Sequence, residues 1–351
     1  MKQNFVILDG IRGIAAIFVL ILHTDNYWGG LSFFHSHLAV DAFFILSGYV
    51  IAHAYENKLA NGQISLKDFM VIRLIRLYPM FFISVFVTAS LAIWRYTISD
   101  HQDSGYLNSL ITSIGLTFLL LPSVLSNNIS LFPLNGTYWS IFYELVINLF
   151  YAAIRPILSN KLLVGGIGLL AILLCMVASL NGSLGAGFTW RYTSIITGLT
   201  RSGFGILLGI YLYRVGKSFK PNITVPTWLI ISLPAIVLMM PDFGVLNSIF
   251  ELFAVFIIFP FSIVFGARCY CNQMTSSVFK VLGQASYPIY LLHIPIASLI
   301  YSFGFGSYVE RFAPVSGILF VILMILLSLI VEKFYDLPLR KYLTKRLLKL
   351  A

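Results

Sequence analysis

Charge is what this sequence has least of. Only 10% of its 351 residues are Asp, Glu, Lys or Arg, where a soluble domain carries about a quarter. Polar stretches long enough to fold by themselves are missing too, because apolar blocks recur almost from end to end. Together these absences exclude an ordinary soluble protein, and a hydrophobic content of 59% points to a single integral membrane domain over residues 1–351. Cysteine is also scarce. Cys175 sits in an apolar block and Cys269 and Cys271 in a short connector, which supports neither a disulfide framework nor a zinc site. No bound metal is expected. The formal charge of +10 does not indicate nucleic acid, because the basic residues are scattered in short clusters between apolar blocks and form no stripe on a soluble module. Asp9 and Arg12 precede the first apolar core and no small-residue cleavage pattern follows His23, so the first segment reads as a retained helix, not a cleaved signal peptide.

Crossing a bilayer takes about 20 apolar residues. Suitable blocks lie near 7–27, 38–55, 79–95, 138–155, 162–180, 196–213, 227–241, 247–267, 286–304 and 312–335. The block 107–122 is an eleventh contender, and the distribution of Lys and Arg decides against it, since basic connectors stay in the cytoplasm. With ten spans and both termini cytoplasmic, most of the 23 basic residues face inward. An eleventh span would flip every later connector. The expected fold is therefore an all-α polytopic membrane protein of about ten transmembrane helices, with 107–122 re-entrant or peripheral. The stretch LKDFMVIRLIRLYP is too charged to span and spaces its apolar residues helically, so an interfacial amphipathic helix is expected near 66–77, with Pro79 opening the next span.

Ionisable residues at membrane depth are costly and tend to mark polar cavities. Those in or at the edges of spans are Asp9, Arg12, His23, Asp41, Glu144, Arg201 and His293. Eleven residues separate Arg12 from His23, which places them within roughly 20° of one helix face and about 16 Å apart along it. They line one cavity at two depths, or Arg12 snorkels to the interface and His23 caps the helix; Asp9 is an ion-pair partner for Arg12. Arg73 and Arg76 share a helix face and suit either phosphate oxygens or anionic lipid head groups. Trp139 falls at the depth of an interfacial anchor. Glu144, just inside the outer face, needs a hydrogen-bonding partner. His293 is either a packing residue or a functional one.

Taken together, LDGIRGIAA followed by His23, VDAFFILSGYVI around Asp41, RLIRLYP, NGTYWSIFYEL, RSGFGILLG and SYPIYLLHIP closely resemble the acyltransferase-3 family of integral membrane enzymes. The match extends in order over nearly the whole chain. Ala39 stands where a glycine often precedes the VD pair, and a single His23 replaces a frequent His-His. The basic tail RKYLTKRLLKLA gives no sign of a fused hydrolase-like domain.

The resemblance implies transfer of an acyl group, most often acetyl, from cytoplasmic acyl-CoA to a carbohydrate hydroxyl, as on a surface polysaccharide or its lipid-linked precursor. Acetyl-CoA would be a co-substrate, with no bound cofactor, and the setting a bacterial inner membrane. Arg12, Arg73 and Arg76 would hold the donor and His23 would act as general base. Glu144 would orient the histidine or the acceptor, and His293 and Arg201 would stabilise the oxyanion or bind the acceptor. Asp41 and Trp139 would serve acceptor binding or structure. The rival class is a proton-coupled transporter or flippase of a lipid-linked sugar, against which stands the lack of an inverted repeat.

Overall fold

The computed structural model describes residues 5–99, 104–125, 128–216, 226–269 and 271–348. Among these it is all-helical apart from two isolated β-bridges. In chain order the helices are α1 Val6–Leu22, α2 Ala39–Ala60, α3 Leu66–Thr97, α4 Ser104–Phe118, α5 Tyr138–Ile154, α6 Asn160–Asn181 and α7 Tyr192–Gly216. They continue with α8 Thr227–Met239, α9 Asn247–Phe253, α10 Phe259–Gly266, α11 Gln273–Ser302, α12 Gly306–Arg311, α13 Val315–Val331 and α14 Leu337–Leu347. One π-helical turn, Ala254–Ile258, joins α9 to α10 and another, Glu332–Asp336, joins α13 to α14.

Seven helical stretches are long and apolar enough to cross a membrane: Phe34–Ala60, Leu66–Thr97, Tyr138–Ile157, Asn160–Asn181, Tyr192–Gly216, Gly244–Gly266 and Val315–Leu347. The blocks 7–27, 227–241 and 286–304 correspond to α1, α8 and α11, which are not among them. α1 and α8 have 17 and 13 residues, and α11, at 30 residues, mixes polar side chains through its length. α1 stops short of Tyr27 because Thr24 turns back to its own backbone, donating to Leu20 O at 2.8 Å, the local competition typical of threonine. α4, at 15 residues, reaches only about 22 Å and is not one of the seven.

The separate interfacial helix expected near 66–77 does not exist. Ser65 caps a single helix of 32 residues that runs straight through Pro79. An interior proline removes one backbone donor, yet the helix continues past it, with Phe69, Ile75 and Leu77 buried against neighbours on its N-terminal side. At about 48 Å, α3 exceeds the roughly 30 Å hydrocarbon core, which leaves room for its charged first turns outside it.

The two most intimate helix pairs are α2 with α7 and α1 with α11. Both are made by glycine, as expected where helices must associate without a hydrophobic drive and gain from close backbone approach. A Cβ on Gly48 would lie 2.1 Å from Ile206 O, and one on Gly209 2.1 Å from Ile45 O. On the other pair, a Cβ on Gly13 would lie 2.4 Å from Leu282 Cβ, and one on Gly283 2.5 Å from Asp9 Cβ. The glycines of LDGIRG, LSG and RSGFGILLG thus bring the polar residues beside them into register across helices.

Candidate active site

Three adjoining cavities follow α1 from its Arg12 end to its His23 end. The largest, about 520 Å³, is lined by Asp9, Arg12, Arg73, Arg76, Glu144 and Lys280 among apolar neighbours. The second is about 80 Å³ and includes His23, His37, Thr137, Trp139 and Arg201 in its wall. Val40 and Tyr290 line both. The third, about 350 Å³, again includes His23. His23 therefore stands where the second and third cavities meet.

In the largest cavity two ion pairs account for four of the charges. Arg12 Nη2 donates to Asp9 Oδ1 at 2.8 Å and to Gly283 O at 3.0 Å, while its Nε donates to Ser286 Oγ at 3.0 Å. Arg73 Nη2 donates to Glu144 Oε1 at 2.5 Å, and Ser47 Oγ donates to the same oxygen. Glu144 therefore sits on the Arg12 side, two helical turns into α5, and meets Arg73, not His23. The orienting role expected of it toward the histidine has no geometric basis. Arg76 and Lys280 make no hydrogen bond or ion pair with any described residue. Two unpaired cations beside two neutralised pairs leave the cavity net positive and suited to a polyanion.

The third cavity's histidine is paired across 270 residues. His293, fully buried on α11, places Nε2 3.3 Å from His23 Nδ1, with its own Nδ1 2.8 Å from Ile289 O. Carbonyl oxygens only accept, so in the neutral ring His293 carries its proton on Nδ1 and presents a lone pair from Nε2. His23 Nδ1 also faces Val19 O at 2.8 Å and so carries the proton of that ring. Its Nε2 is left with the lone pair and no described partner. Two apolar helices packed by glycine thus fix the tautomer of an exposed imidazole.

Asp41 and Arg201 meet as well, in a pair 2% exposed at each residue. Arg201 Nε and Nη2 reach the two carboxylate oxygens at 3.0 and 2.6 Å, Nη1 donates to Ala186 O and Nη2 to His37 O. Its guanidinium also lies over the Trp139 ring, 5.4 Å from the centroid. Trp139 is buried and packs against this pair.

Residues 5–333 match the acyltransferase-3 family over its acyltransferase domain. The chain belongs to that family. It is 39% identical over 158 residues to Protein 2 in picA locus of Rhizobium radiobacter, an alignment covering 43% of this chain and 82% of that protein. It is 25% identical over 365 residues to O-acetyltransferase OatA of Staphylococcus aureus (strain NCTC 8325 / PS 47), covering 95% of this chain. The chain spans 57% of that relative's length. No solved structure matches it.

One cluster beside the family's motifs escaped the sequence reading. Glu251, fully buried within the span Gly244–Gly266, accepts from Leu184 N at 2.5 Å and Ser183 Oγ at 2.9 Å, and faces His37 Nε2 at 3.2 Å and His35 Nε2 at 3.7 Å. A carboxylate in the middle of NSIFELFAVF was a visible signal by the rule applied to the other intramembrane charges. His35 and His37 lay in a connector by the span boundaries, which hid them. Among the described residues no group of three or more His, Cys, Asp or Glu is arranged to hold a metal ion.

Proposed function

We propose that this protein is a membrane O-acyltransferase that moves an acetyl group from cytoplasmic acetyl-CoA to a hydroxyl of a carbohydrate. The carrying observation is the position of His23 where the small second cavity meets the open polar one, its Nε2 without a described partner, with the net-positive chamber next to the second cavity past Val40 and Tyr290. The acceptor oxygen attacks the thioester carbonyl carbon as its proton passes to His23 Nε2. The carbon–sulfur bond then breaks, and the proton returns to the departing thiolate, giving an ester and free coenzyme A. General base catalysis of this kind contributes roughly 10²- to 10⁴-fold.

Arg76 and Lys280 supply cationic partners for the donor's phosphates, with Arg12 and Arg73 behind them. The small second cavity, about 80 Å³, has room for a group of a few atoms, which favours acetyl over a long acyl chain. Val40 and Tyr290, at its boundary with the donor chamber, set the entrance the thioester must pass. Asp41, Arg201 and Trp139 hold α2, α5 and α7 around the second cavity as a structural unit.

The corresponding topology has ten spans and cytoplasmic termini, α1, α8 and α11 completing the seven long helices, in a bacterial inner membrane. Such an arrangement puts Arg12 on the cytoplasmic side and His23 toward the outside. The test is transfer of radiolabelled acetyl from acetyl-CoA to a carbohydrate extract by purified protein. Label should appear in the glycan with the wild type and be lost with His23→Ala; transfer at full rate by that variant would remove His23 from the chemistry. A flippase would move lipid-linked sugar without consuming acetyl-CoA.

A further inference from the structure

Attack on a carbonyl carbon puts negative charge on its oxygen, and enzymes that transfer acyl groups meet that charge with fixed hydrogen-bond donors in a site shielded from water. His23 cannot be the donor. Its Nδ1 faces Val19 O and its Nε2 presents a lone pair. A donor for the oxygen has to come from another wall of the second cavity, about 80 Å³, which His37, Thr137, Trp139, Arg201 and Tyr290 also line. Thr137 Oγ1 donates to Asn135 Oδ1 at 2.8 Å, and Tyr290 Oη donates to Thr137 O at 3.2 Å. His37 faces an acceptor at each ring nitrogen, Phe34 O at 3.0 Å from Nδ1 and Glu251 Oε1 at 3.2 Å from Nε2. Arg201 spends all three of its nitrogens on Asp41, Ala186 O and His37 O.

Trp139 differs from these four. Its indole N–H makes no hydrogen bond with any described residue, and it is not one of the buried polar atoms sealed off without a partner. On a residue 7% exposed, that N–H opens onto the cavity Trp139 lines. An indole nitrogen donates and never accepts. The ring is also held in one orientation: Arg201 lies over its face, Phe44 and Tyr143 pack edge-on with centroids at 6.3 and 6.0 Å, and a Cβ on Gly187 would lie 2.8 Å from Trp139 Cζ3. A donor fixed before the substrate arrives needs no reorganisation when the charge develops.

Resting on the acyltransferase reading above, we infer that Trp139 is a catalytic residue whose indole N–H binds the thioester carbonyl oxygen as it becomes an oxyanion. The acceptor oxygen bonds to the carbonyl carbon and gives its proton to His23 Nε2, while the C=O π pair moves onto oxygen and is held by the indole N–H. When the carbonyl re-forms, the carbon–sulfur bond breaks and the thiolate takes the proton from His23. Base and donor thus act from two walls of one small chamber.

Trp139→benzothienylalanine replaces the indole N–H by sulfur in a ring of nearly the same shape and keeps the stacking against Arg201. It is assayed in the full-length protein in detergent with radiolabelled acetyl-CoA and the carbohydrate extract. Its kcat should fall about 10²-fold, the effect of losing one oxyanion donor. The KM for acetyl-CoA should stay put, so that kcat and kcat/KM fall together, as they do when a bond made in the transition state is lost. Its melting temperature should match the wild type's. Trp139→Phe, which loses the N–H and part of the ring, should lose at least as much kcat at temperatures where it remains folded, and should melt lower. Wild-type kcat in either variant, or a loss confined to the KM, would overturn the assignment while leaving acyl transfer intact. Wild-type protein that does not consume acetyl-CoA would overturn acyl transfer itself, and this inference with it.

Discussion

The His23–His293 contact makes a graded prediction. His293 contributes one hydrogen-bond acceptor at 3.3 Å to an Nδ1–H that also has Val19 O at 2.8 Å. Losing one neutral hydrogen bond of two costs about 1 kcal/mol, and about 1.4 kcal/mol is a factor of ten in rate. His293→Ala should thus lower kcat by about five- to tenfold, through a looser His23 ring and a mixture of tautomers. Removing the base itself, in His23→Ala, should cost about 10² to 10⁴. His293→Gln supplies a control for the cavity left by alanine, because its side-chain oxygen can accept from His23 Nδ1 and should recover most of the loss. Single-turnover transfer of radiolabelled acetyl isolates the chemical step from product release. If His293→Ala fell as far as His23→Ala, and Gln did not rescue it, His293 would itself exchange protons with substrate and the tautomer reasoning would be wrong.

The remaining predictions separate charges that bind from charges that hold. Arg76→Ala should raise the KM for acetyl-CoA and lower the melting temperature less than Arg73→Ala does, because Arg76 makes no hydrogen bond or close ion pair with a described residue and loses only longer-range attraction to Asp9, Glu332 and Asp336. Arg73→Ala should raise that KM and also destabilise the fold, since it leaves Glu144 with only Ser47 in a largely enclosed site; equal melting temperatures for the two variants would contradict this. Asp41→Asn breaks a buried ion pair and should cost about 3–5 kcal/mol, read as a lowered detergent melting temperature or loss of folded protein. Gly13→Leu, in contact with Leu282, should cost about 1–3 kcal/mol or more by overpacking α1 against α11. A normal melting temperature there would show that the two helices do not need their close approach.

How far the site was legible depended on what each signal encodes. Apolar length marks a helix that can face lipid, so α2, α3, α5, α6 and α7 were recognisable from the sequence. α11 was placed as a span too, although its polar residues serve contacts with α1 and α3 and dilute its hydropathy. Pro79 was misread because a proline announces a missing donor, yet the helix continues past it, with Phe69, Ile75 and Leu77 buried on its N-terminal side. Among the ionisable groups, helical periodicity set Arg12 and His23 on one face of α1, where they line different cavities and His23 also caps the helix. It could say nothing of Glu144, whose partner Arg73 lies 71 residues away on another helix, or of Glu251, whose histidines come from a connector.

The pairings also explain why an apolar chain retains so many charges. Burying an ion is tolerable when its hydrogen-bonding capacity is met, and removing one partner then costs more than the pair itself contributes. Asp41 with Arg201 satisfies that condition and ties α2 to α7, and Glu56 with Arg155 and Arg214 ties α2 to α7 and to the end of α5 while leaving Arg155 Nε and Arg214 Nη2 without a partner. Because those carboxylates are spent on the scaffold, they exert little pull on the larger cavity, and the cations there keep their charge for a ligand. The same reasoning applies at the other end of α1. His293 uses its lone pair to hold the His23 proton on Nδ1 and thereby frees Nε2. The groups available for chemistry are those whose neighbours are fully engaged with one another, so a substitution in the scaffold that frees a carboxylate near Arg76 should weaken donor binding without touching a single donor-facing residue.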